Sequence, residues 1–491
     1  MKQVAKPALA IVMSLGLYLF FTSTFFPLEF LSVFNSKRVL QLALFASLTT
    51  IAVAWTPLRT ATAAQLHRLS RPARYCLVLF FTLGVISSLR LPHPAYALVD
   101  VSMLFLLAVL IAVTAASRQL AGERFDKWAV LLLAVTGAAV ALQEFMGFIA
   151  GWVLGTEFNY EQALVHFSHP RFYNQLQTWS IPLVTALPLV LPGKRWVKWA
   201  CVGLLGLQWF LLIALAARGS IVSLLTAMVF IALWLPAQRK FWLKPQLVGV
   251  FVGIIFYMGI LLLNGWLLPQ SQSGEFYAHS AGRSMLHTSG RSVFWQLSVE
   301  DALKHPVLGT GPAHYACDAK RWLPAHPHNF PLTILGEWGF IAFFLVVALA
   351  LMIGLGFLKT LKSANHAAHT GQTGPPLRAM LAISIIAGVL HACLSGLLIM
   401  PASQVALVLI AGWALSLAGA GEHLSKTPAP IISIVIVSSL VSWAVFIFAV
   451  TEIPQLQHRT SYTESYGPMA PRFWQHGRVC EYKYQSLATK K

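Results

Sequence analysis

Charge is what this sequence has least of. Only 10% of its 491 residues are Asp, Glu, Lys or Arg, and 16 of these are acidic against 35 basic. A soluble domain carries about 25% charged residues, so a free-standing soluble enzyme is excluded. Cysteine is also scarce, with five in all, which rules out a disulfide scaffold. Cys76, Cys201 and Cys393 fall in apolar runs, while Cys317 and Cys480 fall in two polar segments. In an oxidising compartment those two can pair; two free thiols are the open alternative. No internal period and no low-complexity tract appears, nor any polar stretch long enough to fold alone. The first apolar run has no small-residue cleavage site after it, so it is expected to stay as the first helix.

What is present is apolar surface. With 57% apolar residues and a mean hydropathy of +0.68, the chain reads as an all-α, polytopic transmembrane bundle. Runs near the roughly 20 residues needed to cross hydrocarbon occur around 8–26, 39–57, 75–90, 96–116, 128–148, 178–192, 197–216, 220–236, 246–268, 331–356, 379–398, 402–420 and 430–450. The count is about 12–13 helices. If the N-terminus is cytoplasmic, the inside segments hold 19 of the 35 basic residues, in clusters such as Arg68, Arg71 and Arg74 or Lys194, Arg195 and Lys198. The short outside segments hold five: Lys37, Arg38, Arg90, Arg171 and Arg218. That bias fits the positive-inside rule. The net charge of +19 is therefore spent on topology; no basic face gathers it, and no nucleic-acid partner is expected.

This orientation divides the chain into N-terminal helices (1–268), a large outside loop (269–330), C-terminal helices (331–450) and a short outside tail (451–491). Loops of such length are uncommon unless they carry function. Within the large one, "SVFWQLSVEDALKHP" (292–306) has the pattern of a short amphipathic helix lying at the membrane surface, closed by Pro306 and "GTGP". A smaller outside loop, 149–177, contains "SHPRFYNQLQTW".

The residues able to do chemistry fall on that outside face. They are Arg171 with Asn174, Gln175 and Gln177, Arg218 in the turn "LAARGS", Arg283 and Arg291 in the large loop, and His326, His328 and Asn329 in "HPHNFP". Arginine at a membrane boundary is costly unless paired or hydrated, and its planar fork suits phosphate oxygens. A converging set would bind a lipid-linked phosphate or pyrophosphate. Bland readings stand beside this one. Arg218 can be an interfacial anchor, Arg291 a helix cap or a partner of Glu300 or Asp301, and Arg283 a solvated loop charge. Asp100 and Glu144, near the outside helix ends, can pair with an arginine or be simply hydrated, and structural pairing is the favoured reading. The loop histidines His279, His287, His305, His314, His326 and His328 match no zinc spacing, so no metal or other cofactor is expected. His328 differs, because Asn329 and Pro331 start the next helix and would fix it at the water–membrane boundary. A neutral imidazole there can accept a proton from a hydroxyl, and nearby arginines would disfavour its charged form. Glu337, further into that helix, needs a partner to balance it.

In combination these residues resemble the O-antigen ligase and O-antigen polymerase superfamily. The likeness lies in "SGRSVFWQLSVEDALKHPVLGTGPAHY" (289–315), in "HPHNFPLTILGEWG" (326–339) and in "ARGS" (217–220), within a region of about 165–345. It implies a glycosyltransferase of the bacterial inner membrane that uses an undecaprenyl-pyrophosphate-linked glycan at the periplasmic face, without a metal or nucleotide sugar. Carried across, Arg218 and Arg291 would hold the pyrophosphate and His328 would act on the acceptor hydroxyl. Arg171, Asn174, Gln175, Arg283, Asn329, Glu337 and His326 would complete the substrate site. Relatives use three acceptors: lipid A–core sugar, a growing glycan, or Ser and Thr of a protein. The short tail favours the first, ligation in lipopolysaccharide synthesis. A lipid-glycan flippase or transporter is the reading from another class, and it would depend on Asp100 or Glu144 instead of His328.

Overall fold

Nine helices among the described residues are long and apolar enough to cross a membrane. They are α1 (Ala5–Thr24), α2 (Val33–Ala54), α4 (Arg71–Leu89), α5 (Pro94–Ala121), α6 (Glu123–Val153), α9 (Arg195–Ala214), α11 (Arg239–Leu267), α13 (Phe330–His366) and α16 (Ala429–His458). Three shorter apolar helices join them, α10 (Arg218–Trp234), α14 (Gly374–Ala392) and α15 (Pro401–Ala418). The computed structural model describes residues 5–25, 28, 30–154, 164–267, 290–317, 324–366, 374–418, 429–458, 466–467, 470–475, 477, 479 and 482–483. The chain is an all-α multi-pass membrane protein. The one departure among the described residues is a two-stranded antiparallel pairing of Tyr466–Gly467 with Tyr482–Lys483.

Local sequence sets the helix ends. Ser32 and Ser70 cap α2 and α4 by accepting the backbone N–H groups of Asn35 and Ala73, each at 3.3 Å. Gly122, at φ +63°, ends α5. The packing pairs α9 with α11, α5 with α15, α1 with α6 and α2 with α16. Large apolar side chains such as Phe251, Trp266, Phe344 and Leu440 stay exposed, as a lipid-facing surface requires.

Two expectations change here. The run 178–192 is not a separate span; it divides between α7 (Pro170–Val184), which contains Pro182, and the single turn α8 (Leu187–Val190), with the break falling just before Pro188. Part of the expected outside loop 149–177 is instead the first half of α7, enclosed by the bundle and buried from Tyr173 to Val184. The amphipathic segment 292–306 is helical as expected, forming α12 (Arg291–Lys304) against α13. A further helix, α3 (Thr56–Arg68), joins α2 to α4.

Candidate functional site

α7 begins where His169 Nδ1 accepts the Arg171 N–H at 3.1 Å, with Pro170 at its first position. Arg171, Asn174, Gln175 and Thr178 then recur at i, i+3, i+4 and i+7, a single helical face. That face meets the start of α10, since Ser220 Oγ donates to the Asn174 carbonyl at 3.0 Å. It also meets the segment after α14, because Gln175 Nε2 donates to Ser395 Oγ at 3.0 Å. Arg218 is the first residue of α10, delivered by a tight turn in which Ala216 adopts φ +48°.

α12 carries Arg291 at its own first position, after Gly290 at φ +75°. One turn on, Phe294 lies 6.4 Å from the His328 ring, centroid to centroid. His328 itself is left-handed at φ +57°. Its backbone N–H donates to His326 Nδ1 at 3.1 Å, and the two rings lie 4.4 Å apart. Asn329 caps α13, its Oδ1 accepting Leu332 N–H at 3.0 Å. The strained residue before that cap fixes where the imidazole stands. His326 is buried, with its ring against Gly396.

The two long motifs of the loop and of α13 grip one another. α13 is broken at Gly339 (φ +81°, ψ +178°), which frees backbone groups that a continuous helix would use. Phe340 N–H donates to Pro306 O at 2.8 Å, while Thr310 and Gly311 N–H groups donate to the carbonyls of Gly336 and Glu337 at 3.0 and 2.8 Å. Inside this knot Glu337 is fully buried and accepts the N–H groups of Ala313 (2.9 Å) and Tyr315 (3.1 Å). The Tyr315 hydroxyl donates onward to the Phe294 carbonyl of α12 at 3.0 Å.

Electrostatics identify which charges share a space. Burial lowers the Arg291 pKa, and the positive charges of Arg171 and Arg218 lower it further. Burial, then Arg291 and Arg171, push His328 down to about 4. His326 lies well below the ordinary histidine value for the same first reason, with His328 and Arg472 adding to it. Arg171 and Arg291 have no carboxylate partner among the described residues. Arg291 and Arg171 thus act on the imidazole and Arg218 on Arg291, and a set of like charges so close together is suited to an anion. Of the remaining sequence candidates, Arg283 lies outside the described residues. No group of three His, Cys, Asp or Glu able to hold a metal ion occurs among the described residues.

Sequence reasoning missed two arginines and a histidine. Arg472, in the tail, donates through Nη2 and Nε to Asp100 (2.6 and 3.3 Å) and through Nη1 to Glu337 (2.6 Å). Burial opposes its charge, but the two carboxylates more than offset this and raise its pKa. The expected arginine partner of Asp100 is thus at hand, whereas Glu144 accepts the Leu164 backbone N–H at 2.9 Å. Arg38 is buried on Gln41, Gln404 (2.6 Å) and the carbonyls of Phe473 (3.0 Å) and Ile399. Between Arg38 and Arg472 lies a cavity of about 30 Å³, also lined by Asp100, Thr333 and Gln404. That is room for a water or two, not for a sugar. His391 of α14 bonds Thr178 Oγ1 at 2.9 Å and faces Gly219. Cys317 is disulfide-bonded; its expected partner Cys480 lies outside the described residues.

Residues 203–347 match the family model described as O-Antigen ligase. This match supports membership of the chain in the O-antigen ligase and polymerase superfamily. The matched stretch holds Arg218, α12 with Arg291, the knot at Gly339 and the histidine pair. No curated protein matches the chain. The match supports a membrane glycosyltransferase of the O-antigen ligase and polymerase type, a family whose substrates are in general glycans and lipid-linked.

Proposed function

We propose that this chain transfers a glycan from undecaprenyl pyrophosphate to an acceptor hydroxyl at the periplasmic face of the bacterial inner membrane. The acceptor we favour is lipid A–core, so that the product is lipopolysaccharide. One observation supports the reading: the charges of Arg171 and Arg218 reach Arg291, and those of Arg291 and Arg171 reach His328, whose imidazole is kept neutral first by burial. Glycosyl transfer needs charge neutralised on the departing pyrophosphate and a proton removed from the nucleophile. Preorganised arginines in a water-poor site supply the first. His328 supplies the second, as a proton acceptor worth typically 10²–10⁴-fold.

Arg218 and Arg291 hold the pyrophosphate, with Arg171 beside them. Asn174 and Gln175 line the floor. His326 and Asn329 fix the His328 backbone, and Glu337 fixes the loop that presents α12. Direct attack by the acceptor hydroxyl breaks the bond between sugar and phosphate oxygen, and His328 takes the hydroxyl proton. The anomeric centre is thereby inverted, with the arginines serving in place of a cation.

The test is a reconstituted reaction with undecaprenyl-pyrophosphate-linked glycan in the presence of EDTA, offering lipid A–core and purified periplasmic proteins separately. Glycan on lipid A–core, lost in His328→Ala and Arg291→Ala, is the expected result. Transfer to protein, or lengthening of the donor, changes the acceptor and keeps the mechanism. Donor merely moved across the bilayer, with His328→Ala unaffected, overturns the reading in favour of a transporter.

A further inference from the structure

The hydrogen bonds behind α7 have only one consistent polarity. Gln208 Nε2 donates to the Gly137 carbonyl at 2.7 Å, which fixes that amide. Its Oε1 then accepts the Tyr173 hydroxyl (2.8 Å) and Gln177 Nε2 (2.9 Å). Gln177 has its Oε1 left, and this accepts Asn174 Nδ2 at 2.9 Å. Asn174 therefore presents Oδ1, an acceptor, which is buried and meets no donor. Gln175 spends its amide nitrogen on Ser395 and likewise leaves Oε1 buried without a donor. These side chains are 2% and 1% exposed, so the unmade bonds are costly unless a ligand completes them.

The same accounting fixes His391. The Thr178 hydroxyl has one proton and donates it to the Asn174 carbonyl at 2.9 Å. Its 2.9 Å contact with His391 Nδ1 must then be donated by the ring. The proton is on Nδ1, and Nε2 is a bare lone pair without a hydrogen bond among the described residues. A Cβ built on Gly219 would stand 3.1 Å from this Nε2, so the atom lies against the first turn of α10, beside Arg218.

Three acceptors without donors thus border the arginine site. A phosphate oxygen cannot satisfy them, because it too only accepts. Ring hydroxyls can, and the sugar bonded to a pyrophosphate held by Arg218 and Arg291 brings them within reach. We propose that His391, braced by Thr178, forms with Asn174 and Gln175 a hydroxyl-reading subsite for the sugar ring joined to the pyrophosphate. The assignment rests on the donor reading proposed above.

The experiment uses a polyprenyl-pyrophosphate disaccharide and its mono-deoxy analogues at the phosphate-linked ring, with the full chain in nanodiscs. His391→Phe keeps a ring and removes the acceptor, whereas His391→Gln restores an acceptor oxygen. His391→Phe is expected to raise the donor KM about 3- to 10-fold, the loss of one uncharged hydrogen bond, and His391→Gln to recover most of it. One deoxy analogue should show the same loss with the wild type and no added loss with His391→Phe. Independent, multiplying losses would place the His391 contact on an arginine and overturn the proposal. So would a wild type that binds every deoxy analogue as tightly as the intact donor. That binding comparison needs neither turnover nor a variant. It decides the subsite even where absent transfer has removed the transferase reading, or where His391→Phe fails to fold.

Discussion

Arg472 Nη1 lies 2.6 Å from Glu337 Oε1, an ion pair that ties the tail of the chain into the third turn of α13. The same guanidinium holds Asp100 of α5 at 2.6 Å. From Glu337 the bonds continue to the Ala313 and Tyr315 N–H groups, then from the Tyr315 hydroxyl to α12, whose first residue is Arg291. A tail residue is thereby linked, through Glu337 and Tyr315, to the helix that begins with Arg291.

Replacing Arg472 by Met should leave the buried Glu337 and the half-buried Asp100 without their cation, a loss of about 3–5 kcal/mol in stability that comes mainly from Glu337. Thermal unfolding in detergent measures it. Because the penalty is the stranded charge and not the lost pair, adding Asp100→Asn and Glu337→Gln to Arg472→Met should recover part of the loss. A triple variant less stable than the single one would contradict this account.

Activity should divide cleanly between two residues. His328→Ala removes the proton acceptor and should lower kcat by about 10²–10⁴-fold with little change in donor KM. Arg291→Ala should cost about 10²–10³-fold in kcat, because charge on the leaving group develops in the transition state. Arg291→Lys, which keeps the charge and loses the fork, should fall between Arg291→Ala and wild type. Steady-state kinetics with the lipid-pyrophosphate donor give all three.

The pH dependence follows from the sign of the His328 shift. Its pKa is about 4 in the folded chain, below the ordinary 6.5, through burial and then Arg291 and Arg171. The base is therefore neutral throughout the physiological range, and kcat should fall only as pH approaches about 4. Removing a like charge favours the imidazolium, so Arg291→Ala should move that inflection upward toward 6.5. Stability responds in the same direction. Between about 4 and 6.5 the unfolded chain binds more protons at this site, so His328 contributes a loss of stability as pH falls through that window. His326 and His314, also lowered, add to it. A pH–rate profile and unfolding at pH 5 and pH 8 check the two claims.

The spans were legible because apolar runs near membrane length leave little choice, and Arg218, Arg291 and His328 stood out as costly residues at helix starts. α7 was read partly as a loop because its residues 170–178 are polar, and enclosure by other helices cannot be seen from one segment. Arg472 was invisible for a different reason. Its partners lie 372 and 135 residues away, and a tail that turns back into the bundle leaves no periodic trace. His391 sits in an apolar run where a single histidine has no context; only the Thr178 contact gives it one.

Gly309 offers the sharpest test of the knot that presents the site. Its φ is +63°, and a Cβ there would overlap the Glu337 carbonyl, which itself accepts the Gly311 N–H at 2.8 Å. Backbone cannot move aside as a flexible side chain can, so Gly309→Ala must either break that bond or displace the 309–313 segment from α13. The left-handed conformation alone costs an alanine about 1–2 kcal/mol, and the overlap adds to it. Displacing the segment would also withdraw the Ala313 and Tyr315 N–H groups from Glu337 and loosen α12. Gly309→Ala should therefore lower the unfolding temperature and cut transfer together, while the nearby exposed Val307→Ala leaves both near wild type. A Gly309→Ala protein with wild-type stability and turnover would show that the knot does not position Arg291.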